Sequence, residues 1–353
     1  MEAVVAAVAA AVAAAVGRSR GGAHAAYTKA MERTMRADRW HGTATGNRRR
    51  TLLVLLASAF IATGTGAATT QRNFASPEAA VSALVQAVKA QDRAATLSVL
   101  GADAAAWISS GDVATDRATV GHFVAVYDEK HEIVRDGNRA TLTLGSDDFP
   151  FAFPIVRSGE HWRFDTAAGK EEMLVRRIGE NELSAIKVLQ AIVDAQMEYA
   201  SEDRNGDGVL EYSLHFASSP GKHDGLYWPV KPGEPESPLG KLVAQAAGEG
   251  FQGNDQSNKN GPIPYHGYYY RMLKSQGKSD ALGAFDYVIH GRAIGGFAVC
   301  AYPARYGNSG IMTFMVNQDG KIYQADLGPE TQKHAQQLQQ FSPGQRWSVV
   351  QGQ

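Results

Sequence analysis

The chain has 353 residues, with 35 lysines and arginines against 36 acids for a net charge of −1, and one cysteine. That length supports two ordinary domains, each with its own core. The balanced charge, without a basic patch beyond the N-terminal extension, speaks against nucleic acid as a partner. The lone Cys300 excludes an internal disulfide and a multi-cysteine zinc site.

Residues 2–16 are nearly pure alanine and valine, too short and weakly apolar to span a bilayer securely. Residues 17–50 turn polar and basic. Residues 1–50 therefore read as a disordered extension, or as sequence upstream of a true start at Met31 or Met35. Residues 51–68 read as a secretory signal peptide. Arg48-Arg49-Arg50 precedes the hydrophobic core Thr51–Ala62, then a small-residue run with cleavage expected after Ala67 or Ala68. The rival is an uncleaved signal anchor, which would be the membrane attachment; the run is short against the ~20 residues a span requires. Arg49-Arg50-Thr51-Leu52-Leu53 also resembles a twin-arginine signal in outline. The expected destination is the periplasm or envelope of a Gram-negative bacterium.

Residues 74–178 predict an α+β domain. Ser76-Pro77-Glu78 has the order of a helix start, and Val81, Leu84, Val85 and Val88 keep helical spacing. Short helices over Ala94–Leu100 and about Arg117–Tyr127 follow. Glu132–Arg135, Arg139–Leu144, Phe151–Arg157 and His161–Thr166 read as strands joined by glycine turns. Asp147, Asp148 and Asp165 read as turn and strand-end acids rather than a catalytic set.

Residues 179–350 predict a second α+β domain. Asn181 is placed to cap a helix whose apolar stripe is Leu183, Ile186, Leu189, Ile192, Val193, Met197 and Ala200, with Glu182, Lys187, Asp194 and Glu198 turned to water. The helix runs into Asp203-Arg204-Asn205-Gly206-Asp207-Gly208, which matches the first half of a calcium loop. A hard cation takes several oxygen ligands, and glycine permits the bend that converges them. Asp203, Asn205, Asp207 and Glu211 are the candidate metal ligands and calcium the candidate ion. Position twelve falls on Leu214, which has no side-chain oxygen, and a polar Asx-type turn without metal is the alternative. After two polar loops and a short helix over Leu239–Ala247, the strands Tyr265–Lys274, Phe285–His290, Gly296–Tyr302, Ile311–Val316 and Lys321–Ala325 are rich in aromatic and β-branched residues. Covering the helix stripe with this sheet is the way to bury both.

The order of elements in 74–178 resembles the cystatin-like class that includes relatives of nuclear transport factor two. The helix, Tyr265–Lys274 and the late hairpin Gly295–Gly328 resemble the globular part of type IV pilins and pseudopilins, whose preceding hydrophobic assembly helix has no counterpart here. Phe74–Glu78, Trp162–Gly169, Asp224–Pro229, Tyr265–Arg271 and Gly310–Gly320 are similar to stretches of the exported bacterial family catalogued as domain of unknown function 2950. That resemblance implies an envelope protein and supplies no activity.

Three readings of function follow. The first is a non-catalytic binding or structural module of the envelope, contacting an unidentified envelope protein or polymer through its aromatic loops. The second is an envelope-acting hydrolase using His223 and Asp224, a His–carboxylate neighbour pair beside Tyr227-Trp228. A third is a structural part of a secretion or pilus assembly. The sequence carries none of the motifs HExxH, GxSxG, the phosphate-binding loop or the dinucleotide fingerprint. On the strand Tyr265–Lys274, alternation sets Tyr268 and Tyr270 against Tyr265 and Tyr269, leaving one face available as a stacking surface for sugar or peptide.

Overall fold

The computed structural model describes residues 70–107, 113–248, 264–278 and 283–351. The expected extension over 1–50 and signal segment over 51–68 lie outside the described residues. Among the described residues, no helix is long and apolar enough to cross a membrane. The chain is α+β, with helices beside antiparallel sheets, and forms two compact units that divide between Arg176 and Arg177.

The first unit opens with α1 (Pro77–Lys89), whose Ser76 side chain accepts a hydrogen bond from Ala79 N–H. Next come α2 (Arg93–Leu100), capped by Asp92, a 3-10 turn (Ala102–Ala106) and α3 (Val113–Glu129). Strands β1 (His131–Asp136), β2 (Arg139–Leu144), β4 (Ile155–Ser158) and β5 (His161–Phe164) pair in that order, with β3 (Phe149–Pro150) also on β2. The strand expected over Phe151–Arg157 starts only at Ile155. Pro154 has no N–H to give a ladder, and Phe151 and Phe153 bury their rings instead. Leu84, Val88, Leu100, Phe123, Leu142, Phe153 and Ile155 are fully buried together.

Helix α4 then runs unbroken from Thr166 to Ala200. Its start is set by Asp165, whose carboxylate accepts from Ala168 N–H at 3.1 Å, as an N-cap should. Asn181 is therefore mid-helix and caps nothing, a correction to the expected start. The ring of Phe153 packs on the helix backbone at Gly169, where an added Cβ would lie 2.0 Å from it.

In the second unit, α4 from Arg177 onwards lies against the sheet β13 (Ser348–Val349), β11 (Tyr323–Asp326), β10 (Met312–Asn317), β9 (Ala298–Pro303), β6 (Tyr268–Leu273), all neighbours antiparallel. Ile186, Leu189, Ile192 and Tyr199 from the helix share one core with Tyr268, Val299, Ala301, Phe314 and Val316. The expected cover for the helix stripe is therefore present. Alternate residues Leu273, Ala298, Cys300, Tyr302 and Met315 fill a second core on the opposite face with Ala335 and Phe341. Those two come from α6 (Thr331–Gln337) and β12 (Gln340–Phe341), which pairs in parallel with β7 (Ser275–Gln276), itself paired with β8 (Phe285–Asp286). The remaining helix, α5 (Gly240–Gly248), adds Leu242 and Val243 to the first core. Arg271 of β6 donates to the carbonyls of Ala335 and Leu338 at the end of α6, which satisfies acceptors a helix C-terminus leaves open. Cys300 is buried, and burial pushes its thiol up to about 12, so it packs as a small hydrophobe.

Two substitutions in α4 separate crowding from helix propensity. Gly169→Ala is expected to lose about 1–3 kcal/mol in denaturant unfolding, because the buried Phe153 ring cannot step aside. Gly179→Ala, where a Cβ meets nothing within 4 Å, is expected to gain up to about 1 kcal/mol.

Candidate functional site

The acidic turn after α4 draws its own side chains inward. Asp203 accepts from the backbone N–H groups of Gly206, Asp207 and Gly208 at 2.8, 3.2 and 2.8 Å. The Gly208 amide, ahead of the others, holds the Asp203 carboxyl below its ordinary 3.8. Asn205 accepts from Asp207 N–H and donates to Glu211 Oε1 at 2.7 Å. Asp207 accepts from Val209 N–H and pairs with Arg292 at 2.9 Å. Gly206 and Gly208 sit at φ 75° and 83°, the left-handed region that closes such a turn.

Asp203, Asn205, Asp207 and Glu211 are thus brought into one turn. In kind they fit a hard cation; in arrangement they are already engaged, by backbone amides, by Asn205 Nδ2 and by the Arg292 guanidinium. Among the described residues no group of three or more His, Cys, Asp or Glu side chains is placed to hold a metal ion. A cation here would have to turn Arg292 and the Asn205 amide aside.

His223 and Asp224 do not act on each other. The His223 ring stacks on Trp228 with centroids 4.3 Å apart, and its carbonyl accepts from Tyr199 O–H at 2.7 Å. The Asp224 carboxylate accepts from Ser219 N–H at 2.7 Å, and that amide holds it below its ordinary 3.8. Both serve the loop's shape. Burial pushes Tyr199 up to about 12, so its hydroxyl stays a donor.

The tyrosine strand packs against a core on each face, with Tyr269, Tyr270, Arg271 and Met272 half-buried. Tyr265-His266-Gly267-Tyr268 is a tight turn with reciprocal backbone bonds of 2.9 and 3.0 Å. His266 and Gly267 have φ 47° and 73°, as a primed hairpin turn requires. Tyr268 lies in the helix-side core and Tyr269 packs on Tyr302 in the opposite one. The Tyr270 hydroxyl is buried with no hydrogen-bond partner, and burial raises its pKa.

A junction that sequence reasoning missed lies beside this turn. Glu182 is fully buried, and its Oε1 accepts from the consecutive backbone N–H groups of Ile311 and Met312 at 2.8 and 3.0 Å. Asn181 donates to Ser309 carbonyl at 2.9 Å, and a Cβ on Gly267 would lie 2.6 Å from that Asn181 amide. Tyr268 O–H donates to Met312 carbonyl at 2.8 Å, passing so close to Gly310 that a Cβ there would sit 2.1 Å away. About four turns along the helix, Gln196 both donates to and accepts from the backbone of Ser213 at 2.8 Å. The signal was the spacing: Glu182, Leu189 and Gln196 are seven apart and so share one helix face.

The stretches that meet here, Asn181-Glu182, Tyr265–Tyr270 and Ser309–Met312, all fall inside residues 71–350, which match the family described as Protein of unknown function (DUF2950). The chain belongs to that family. No curated protein and no solved structure matches it. The DUF2950 match spans both compact units, so the Glu182 junction and the acidic turn alike lie within the family's region.

Glu182→Ala is expected to destabilise by about 3 kcal/mol or more, since it orphans two buried N–H donors. Glu182→Gln keeps an acceptor oxygen and should cost far less in the same denaturation experiment. The Asp203 turn has a pH signature. Its folded value lies below the ordinary 3.8, so its contribution is full above that pH and is lost as pH falls through the lower folded value. Asp203→Asn is expected to flatten that part of the acid-unfolding curve.

Proposed function

We propose that this chain is an exported bacterial envelope protein acting as a non-catalytic binding or structural module. We read its first unit as cystatin-like and its second as pilin-like, with the segment over 51–68 as its export signal. The observation that carries this reading is how the polar side chains are used. His223, Asp224, Asp203 and Glu182 each bind backbone or a stacking partner, and none leaves a base beside a nucleophile, which catalysis by this pair would need. The helix-then-antiparallel-sheet order of the second unit supports the pilin-like reading; fold likeness alone carries no activity.

Calcium enters this proposal as a stabiliser of the Asp203–Glu211 turn that competes with Arg292 for Asp207. Binding of that kind is weak by construction, because it gives up an ion pair and an amide contact first.

The test is capture of partners from the native envelope by the tagged protein, alongside melting with and without calcium. One or more envelope components should be retained specifically, and calcium should raise the melting temperature by an amount that Asp203→Ala with Asp207→Ala removes. Envelope hydrolysis that disappears in His223→Ala would replace the module reading with the hydrolase.

A further inference from the structure

Asn205-Gly206 and Asn260-Gly261 are Asn-Gly pairs, and the first lies among the described residues, in the acidic turn. Asparagine before glycine is chemically unstable, because glycine has no Cβ to keep its backbone nitrogen from the asparagine Cγ. The Gly206 nitrogen bonds to Asn205 Cγ and the Cγ–Nδ2 bond breaks. Ammonia leaves with the proton from that nitrogen, and a succinimide ring remains. Water then opens the ring at either carbonyl, giving aspartate or isoaspartate, the latter with the main chain routed through the side chain. Water is the one co-reactant.

The fold commits each atom that ring closure uses. Gly206 N–H donates to Asp203 Oδ1 at 2.8 Å. Loss of its proton would set an anionic nitrogen against a carboxylate, which like charge opposes. Asn205 Oδ1 accepts from Asp207 N–H at 3.1 Å, and Nδ2 donates to Glu211 Oε1 at 2.7 Å. Those two bonds fix the plane of the side-chain amide, and bringing Cγ onto the Gly206 nitrogen breaks them. Asn205 and Gly206 are both exposed, so water for the second step is at hand. What the turn holds back is the first step.

The product does not fit the place the amide leaves. A carboxylate at 205 has no N–H for Glu211 and meets its Oε1 with like charge. Isoaspartate also adds a methylene to the backbone, which moves the Gly206, Asp207 and Gly208 amides off Asp203.

We propose that Asn205-Gly206 is a site of spontaneous amide loss that the acidic turn holds latent. Closed, the turn blocks the ring; opened, it lets the ring form, and the product keeps it from closing again. This chemistry is independent of the module reading.

The purified protein and a synthetic peptide of residues 198–214 are held at neutral pH and sampled over time. Digestion and mass spectrometry read the amide lost at 205, and chromatography separates aspartate from isoaspartate. Asn205 in the protein should convert at least about tenfold more slowly than in the peptide, since closure there waits on opening of the turn. Asp203→Ala, which removes the acceptor of three amides, should bring the protein's rate towards the peptide's and leave conversion at Asn260 as it was. Glu211→Ala, which releases the Asn205 amide alone, should act in the same direction if the first variant does not fold. Equal rates in protein and peptide would overturn the proposal, as would a slow rate that neither variant raises, or a peptide that does not convert. Asn205→Asp tests the one-way step: hydrogen exchange at the Gly206 and Gly208 amides should quicken by about tenfold or more. Exchange as slow as in the parent would mean that the product closes the turn as well as asparagine does, and would overturn that step.

Discussion

Glu182 puts a carboxyl group where water does not reach, and a polar group in that position is tolerable only if its hydrogen bonds are met. Two are met by consecutive amides, Ile311 and Met312, at the point where the chain enters β10. That fixes the strand to the helix at one register, because the side-chain period of a strand is two and a slip of one residue would exchange its buried faces. Both faces of β9 and β10 are buried, so a slip would be unusually costly here. The glycine turn at His266-Gly267 and the close passage of Tyr268 over Gly310 are conditions for the same approach. With a side chain at either glycine, α4, β6 and β10 could not meet as they do.

The helix repeats this device along its length. Gln196 pairs with Ser213 as a strand neighbour would, donating and accepting at once, and Tyr199 holds the His223 carbonyl. Loops that look irregular in sequence are thereby hung on one rigid element. His223 stacks on Trp228 and Asp224 accepts from Ser219 within a loop held in this way. The loop that carries them is fixed by its backbone, and their side chains are taken up in closing it.

How far this could be read beforehand depended on which signal each feature leaves. The α+β class, the helix, most strands and the cover for the helix stripe follow from apolar periodicity. The helix start did not, because Asp165 was read as a strand-end acid, although an aspartate followed by Thr-Ala-Ala is a capping sequence in its own right. Met197 was expected to be buried and Glu182 exposed; the true stripe is centred on Glu182, Leu189 and Gln196, and a hydropathy count discards two of those three. The tyrosine strand was legible as a strand but not as one packed against a core on each face. What covers its second face, Ala335 and Phe341, comes from weak local signals late in the chain. In the acidic turn, the residues were legible as a cluster, but Arg292 was not. A long-range cation leaves no trace in local spacing, and it occupies an oxygen that a metal would need.

Buried and exposed polar chemistry are divided in the second unit. At the Glu182 end, acceptors, amides and glycines are matched to one another, and little is left over to meet anything else. At the far end, Met197, Leu210, Ile289 and Ile294 are exposed, and the acids of the turn are met by Arg204, Arg292, Asn205 and backbone amides. Stability alone would favour the opposite, with such apolar side chains tucked in or replaced by polar ones.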